Sequence, residues 1–202
     1  SRGIPPEISA ELFAQMESFA SYAFNKSHAA AYAVVTYQTA FLKKYYPKEF
    51  LAGVLNNRID KIDEIAKYVV YMKEKNIAVY PPDVNASKAY FSVQGKGLRF
   101  GLCALRGVGI GAMEKVIEER EQNGKFRNFE DFLMRCTKFI NKKMVESLIF
   151  GGAFDSMGMK RAQYHAVYEE LMRRIAAIDK QKASAQMTLF GDNIAEEAPK
   201  AS

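Results

Sequence analysis

The chain has 202 residues, 49% of them apolar, and a formal net charge of +6. That leaves room for one sizeable domain or two small ones with buried cores and excludes a wholly disordered chain. No apolar run approaches the ~20 residues of a membrane span. The start, "SRGIPPEISAELF", has neither a signal-peptide pattern nor an initiator Met, so an excised piece of a longer protein is expected.

Residues 8–22, "ISAELFAQMESFASY", place Leu12, Phe13, Met16 and Phe19 at helical spacing, with Ser9 as N-cap. "AAAYAVVTYQTAFLKKYY" reads as a long apolar helix stopped before Pro47. "KEFLAGVLNN" predicts a short helix and "KIDEIAKYVVYMKEKN" a fourth, with Ile62, Ile65, Val69 and Met72 on one face. Pro81-Pro82 then predicts an extended crossing segment, and "AYFSVQGKGLRFG" two short strands around Gln94–Gly97. "LCALRGVGIGAMEKVIEER" reads as helix, turn, helix. Phe126, Phe129, Phe132 and Leu133 mark a short helix, and "NKKMVESLIFGGAFDSM" a helix ending in a glycine pair. One long helix covers 160–183, and the remainder is expected to be mobile.

Cys103 and Cys136 form neither a disulfide framework nor a zinc pattern and are expected to be buried free thiols of a cytosolic protein. Between Lys96 and Arg174 fifteen Lys or Arg stand against ten Asp or Glu, so most of the positive excess lies in that span. Such a balance suits a polyanion partner without requiring one.

The most informative stretch is Leu105–Arg120. Gly107 and Gly109 permit positive φ and close backbone approach, and a helix follows whose first N–H groups are unpaired at the positive end of its dipole. Phosphate suits such a site. Val108 is expected to point inward, with Leu105, Val116 and Ile117 packing the helices together. Arg99, Arg106, Lys115 and Arg120 surround the turn, and the spacing is that of a helix-hairpin-helix unit. A weaker second copy is read at Gly151-Gly152, with Lys142 and Lys143 adding to a surface that grips successive duplex phosphates. An ordinary tight turn between helices is the alternative.

"FNKSHAAAYAVVTYQTAFLKKYYPKEFLAGVLNN", "YPPDVNASKAYFSVQGKGLRFGLCALRGVG", "FRNFEDFLMRC" and "NKKMVESLIFGGAFDSMG" closely resemble the bacterial DNA polymerase III α-subunit family, C-family replicative polymerases, from about residue 8 to residue 191. The resemblance implies a mostly α fold with one small β-hairpin. Its parts would be the C-terminal part of the fingers domain (1–78), a tandem helix-hairpin-helix DNA-binding domain (79–176) and a tail (177–202). It implies a bacterial cytoplasmic protein whose intact form is a DNA-directed DNA polymerase using Mg2+, with duplex DNA and other replicative holoenzyme subunits as partners. Lys26 and His28 would contact the triphosphate of the incoming nucleotide in the intact enzyme, and Tyr32 would lie beside the nascent base pair. For His28 a local hydrogen bond at the helix start, and for Tyr32 packing on the apolar helix, are the alternatives. Gly111 departs from the family, which often has Lys there, so one phosphate contact of the first hairpin is expected to be missing.

In the tail, "QMTLF" resembles the peptide by which bacterial polymerases dock on the sliding clamp. Leu189 and Phe190 would fill an apolar pocket, and Gln186 would bond at its edge. The peptide folding back on the protein's own surface is the alternative. Nothing in the sequence resembles the acidic metal site of nucleotidyl transfer, so no catalytic residue, metal ligand or cofactor is assigned and the piece is not expected to polymerise. Two rival functions stand beside DNA holding and clamp recruitment: a helix-hairpin-helix module of a repair enzyme, and a protein-interaction scaffold whose hairpins only pack.

Overall fold

The computed structural model of the chain describes Gly3 and residues 5–21 and 26–191, with backbone alone at Ser21 and at 182–191. It falls into two compact units, residues 1–47 and 48–202.

The first unit holds two helices, α1 (Pro6–Ser21) and α2 (Lys26–Tyr45). The expected apolar side chains of α1 lie on its surface, Phe13 at 68% and Phe19 at 69% exposure, and no residue of α2 is buried. Along α2, Phe41 meets Tyr45 with ring centroids 4.7 Å apart, an i,i+4 contact within the helix.

In the second unit, α3 (Pro47–Asn56) and α4 (Ile62–Glu74) pack Leu51, Leu55, Ile65 and Met72 against Phe91 and Leu98. Leu98 belongs to, and Phe91 immediately precedes β2 of, a small sheet of β1 (Ala78–Tyr80), β2 (Ser92–Gln94) and β3 (Gly97–Arg99), ordered β1-β3-β2. The hairpin β2–β3 is the expected one, closed by Gly95 at φ 54° and Lys96. The parallel partner β1 is an addition: the sequence shows only an extended segment there, and three residues ahead of a diproline carry no strand period. Gly97 is where β1 and β3 come closest; a Cβ there would sit 1.9 Å from the Ala78 carbonyl oxygen.

After β3 come a 3-10 turn at Leu102–Ala104, then α5 (Ile110–Asn123), α6 (Phe129–Cys136), α7 (Lys142–Gly151), a second 3-10 turn at Asp155–Met157, and α8 (Arg161–Gly191). The helix expected before the glycine turn is thus a single 3-10 turn, whereas α8 continues past residue 183 to Gly191. Phe126, Phe129, Phe132, Phe154 and Tyr164 form the middle of this core, with Val116, Val145, Leu148 and Ile149 around them. Their rings meet edge-on or tilted, 4.8 to 5.8 Å apart, the arrangement the ring quadrupole favours.

The segment between Pro81 and Ser87 and the residue that leads into β2 are held by side chains that imitate backbone. Asn85 accepts from Phe126 N (2.8 Å) and donates to Phe126 O (2.8 Å). Asn56 does the same to Phe91, at 2.8 and 3.0 Å. Arg120 donates to the carbonyls of Val84 (2.9 Å) and Ser87 (2.8 Å). These bonds satisfy backbone groups that a buried irregular segment would otherwise leave orphaned. Among the described residues no helix is long and apolar enough to cross a membrane.

Candidate nucleic-acid interface

The turn from Leu105 to Gly109 is built as its residues dictate. Val108 is 7% exposed and packs in the core, and its N–H donates to Leu105 O at 3.1 Å. Gly107 takes φ 79°, a region costly for any residue with a Cβ, and lies exposed. Gly109 is the N-cap of α5, in extended conformation, and offers no side chain to the helix's first N–H groups. The neighbouring helices differ. Asn128 caps α6 by accepting from Asp131 N (2.8 Å), and Asn141 caps α7 by accepting from Met144 N (2.9 Å). The first turn of α6 also holds Glu130 and Asp131, whereas that of α5 has no acidic residue. The positive end of α5 is therefore left for an external acceptor.

The turn lies against α7. A Cβ on Gly107 would be 3.7 Å from Lys143 Cε and from Ser147 Oγ, and one on Gly109 3.3 Å from Met144 Cε. Lys143 is thereby brought to the glycine turn, with exposed Arg106 on the turn itself. Gly111 has open space around it. Lys115, on the same helix face one turn later, holds its ammonium 5.8 Å from the Phe139 ring centroid. Lys142 is set apart, paired with Glu169 at 3.3 Å. Arg99 and Arg120 are occupied within the fold: Arg99 bonds Gln94 and the Pro81 carbonyl, and Arg120 the two carbonyls above.

Gly151 and Gly152 stand at the end of α7 and not at a helix start. Gly152, at φ 82°, closes α7, with its N–H on Ile149 O (3.0 Å) and the Ala153 N–H on Leu148 O (2.9 Å). A Cβ on Gly151 would sit 2.6 Å from Leu105 Cδ2, and one on Gly152 2.2 Å from Arg161 Nη2. The pair lets α7 approach the first turn and seats the Arg161–Asp155 ion pair. The helix–turn–helix beside the first turn is instead α6–α7. Its turn is tied by Phe139 N and Ile140 N to Cys136 O (2.8 and 3.2 Å), with Ile140 6% exposed as its anchor. That unit has no glycine to reveal it; Asn141 before a helical run was the available signal.

Lys26, His28 and Tyr32 lie in the first two turns of α2, in the first unit. The His28 and Tyr32 rings are 4.4 Å apart, and Tyr32 is 61% exposed. Gln186, Leu189 and Phe190 fall where only the backbone of α8 is described, so their side chains lie outside the described residues. Both thiols are free; burial pushes Cys103 up to about 11 and Cys136 to about 12, which removes them from nucleophilic chemistry. Among the described residues no three His, Cys, Asp or Glu side chains group to hold a metal ion.

A family model for the helix-hairpin-helix motif matches residues 76–164, the span from β1 into α8. The second unit thus carries a helix-hairpin-helix domain. The whole chain extends the likeness. It is 41% identical over 191 residues to the DNA polymerase III subunit alpha of Chlamydia pneumoniae, covering 94% of this chain and 15% of that protein. It is 42% identical over 192 residues to that of Thermus aquaticus, covering 95% and 16%, and 40% identical over 194 residues to that of Mycobacterium tuberculosis strain H37Rv, covering 96% and 16%. The chain belongs with the DNA polymerase III α subunits, as a segment spanning about one sixth of the length of these curated relatives.

Proposed function

We propose that this chain holds duplex DNA by its backbone, without chemistry of its own, and tethers a replicative polymerase to its sliding clamp. The observation that carries the first part is the start of α5. It has a glycine N-cap with no side-chain cap and no acid in the first turn, and it follows a positive-φ glycine beside Arg106 and Lys143. Phosphate oxygens reach the free N–H groups of α5 through the gap at Gly107 and Gly109, while Arg106, Lys143 and Lys115 supply the counter-charge. Contacts of this kind fix position on the duplex and carry no sequence information. Lys142, drawn toward Glu169, contributes less. Gly151 and Gly152 support the arrangement by packing.

On this reading the segment 186–190 docks on the sliding clamp through Gln186, Leu189 and Phe190. In the whole polymerase, Lys26 and His28 face the triphosphate of the incoming nucleotide and Tyr32 the nascent base pair. Template-directed synthesis, its Mg2+ and the other holoenzyme contacts belong to the whole protein.

Fluorescence anisotropy with labelled duplex and single-stranded DNA tests the DNA reading across about 50 to about 200 mM salt. Duplex is expected to bind more tightly, and an Arg106→Ala/Lys143→Ala variant to lose affinity and flatten the salt slope by roughly 2 in log–log terms. Both side chains are exposed, so the variant keeps its fold, which circular dichroism checks. Equal binding by the variant would leave the hairpin as a packing device. Surface plasmon resonance on immobilised sliding clamp, with Leu189→Ala/Phe190→Ala beside the unaltered chain, tests the tether; an unchanged signal removes it.

A further inference from the structure

The second unit also holds a groove that neither glycine turn uses. It lies between residues 88–91, just ahead of β2, and α5, and encloses about 370 Å³. Its floor is apolar: Ala89 and Phe91 are buried, Ile117 is half-buried, and Tyr90 stands at the rim with 39% of its surface exposed. One wall is charged. Glu114, Glu118 and Glu121 recur at i, i+4 and i+7 of α5 and so share a face of that helix over about 10 Å of its axis. All three are exposed, and among the described residues no ion pair includes any of them. Glu118 accepts from Gln122 of its own helix (3.0 Å), a bond that leaves its charge uncompensated. Lys88, the one cation lining the groove, enters no ion pair either.

We propose that this groove docks a basic segment of another polypeptide, with an aliphatic or aromatic side chain on the apolar floor and flanking Lys or Arg facing the carboxylates of α5. Charge selects that occupant. In a chain of net charge +6 the groove is locally negative, three carboxylates against one ammonium. Nucleic acid is repelled, because its phosphates would face Glu114, Glu118 and Glu121. The chain's own end is repelled as well, since residues 192–202 hold Asp192, Glu196 and Glu197 against Lys200 alone. An uncharged ligand would use the floor but strip water from the carboxylates without replacing it. A basic segment meets both needs. Its anchor removes the floor from water, and its cations give the encounter speed and register. Each exposed ion pair contributes little, so the anchor and the row of carboxylates work together. This docking is separate from the DNA-holding function: it uses the acidic face of α5, whereas phosphate is met at the start of that helix. In the sequence the three glutamates read as an ordinary solvated face, because the floor that gives them a use comes from the segment ahead of β2.

The test uses the whole chain and a set of short fluorescein-labelled synthetic peptides, each with a central Leu, Ile, Phe or Tyr and Lys or Arg on both sides, followed by anisotropy at about 50 mM salt. The tightest peptide is expected to bind Glu114→Gln/Glu118→Gln about 3- to 10-fold more weakly and Lys88→Ala about 2-fold more tightly. All three positions are exposed and Gln matches Glu in helix propensity, so these variants keep the fold. Asp60→Asn/Glu74→Gln, which removes two exposed carboxylates that do not line the groove, is expected to leave affinity unchanged. Amide shifts in nuclear magnetic resonance spectra of the bound chain are expected to cluster at residues 88–91 and 114–121. If no basic peptide binds better than its counterpart with Glu for Lys and Arg, the docking site is refuted. If the two double variants lose affinity equally, the effect is one of net charge and the site is again refuted. Binding that survives exchange of the central residue for Ser would leave the apolar floor without a role and overturn the proposal. Shifts at the same residues on adding duplex DNA in place of peptide would make nucleic acid the occupant, with the same consequence.

Discussion

Glycines that look alike in the sequence do different work at the residue scale, and their surroundings say which. Gly151 touches the side chain of Leu105, where an added Cβ would lie 2.6 Å from Cδ2 and 2.7 Å from Cδ1. The Leu105 side chain must shift to admit such an atom, so Gly151→Ala is expected to destabilise the fold by about 1–3 kcal/mol as an overpacked site. Gly111 has nothing within 4 Å of such an atom and sits in the first turn of α5. Gly111→Ala is therefore expected to be neutral or to stabilise by about 0.5–1 kcal/mol through the loss of glycine's chain entropy. Urea unfolding of the two variants beside the unaltered chain separates them; equal midpoints would mean that α7 and the turn are not in contact. Gly107 and Gly109 fall between these cases, because they combine moderate contacts with exposure, as a backbone site for a ligand requires.

At the scale of elements, α6 shows how a short helix is fixed at both ends. Asn128 caps it, and the Asp131 carboxylate turns back to accept from Arg127 N (2.9 Å) while facing Arg127 (3.6 Å) and Arg135 (3.5 Å). Burial is the largest single influence on Asp131 and pushes its pKa up. The Arg127 N–H and the two guanidiniums together outweigh it and hold the carboxyl below the ordinary carboxylate range. Asp155, bonded to Arg161, and Glu119, bonded to Arg135, shift in the same direction. A group depressed in the folded state contributes stability above its unfolded pKa of about 4 and loses it as pH falls through the folded value. Stability is thus expected to be flat from neutrality down to about pH 5 and to fall below about pH 4. Asp131→Asn should cost about 1–3 kcal/mol near neutrality and show a shallower acid limb. An acid limb of unchanged depth in urea titrations would mean that Asp131 is not ionised in the fold. Helix positions of this domain were legible in the sequence because Phe126, Phe129, Phe132 and Leu133 keep the period that burial demands. Strand β1 was not, since pairing with β3 and not any pattern of its own makes it a strand. The α6–α7 turn carries no such pattern: its contacts come from Lys115 and Asn141, whereas glycine spacing points to Gly151-Gly152, which the structure places at the end of α7 against Leu105.

The whole molecule is uneven in what holds it. Residues from Lys48 onward contain both apolar cores and the asparagine and arginine struts beside them, bonds that link residues distant in the sequence. The first unit, by contrast, has Leu12, Phe13, Met16 and Phe19 of α1 and Tyr32, Val34, Val35 and Tyr37 of α2 more than half exposed. Most helical stability in proteins comes from tertiary packing of an apolar face. The local opening free energy of residues 1–47 should therefore be small beside that of the second unit. Limited trypsin digestion is expected to cut first at Lys26, Lys43 and Lys44 and to leave a resistant core beginning near Lys48 and reaching at least to Arg161. A chain truncated to 48–202 should keep a melting temperature within a few degrees of the full chain, since it loses none of the buried contacts named above. Mass spectrometry of the digest and calorimetry of the truncated chain provide the check. Loss of the two units at one rate, or a large drop in melting temperature, would show that the second unit depends on the first for its stability.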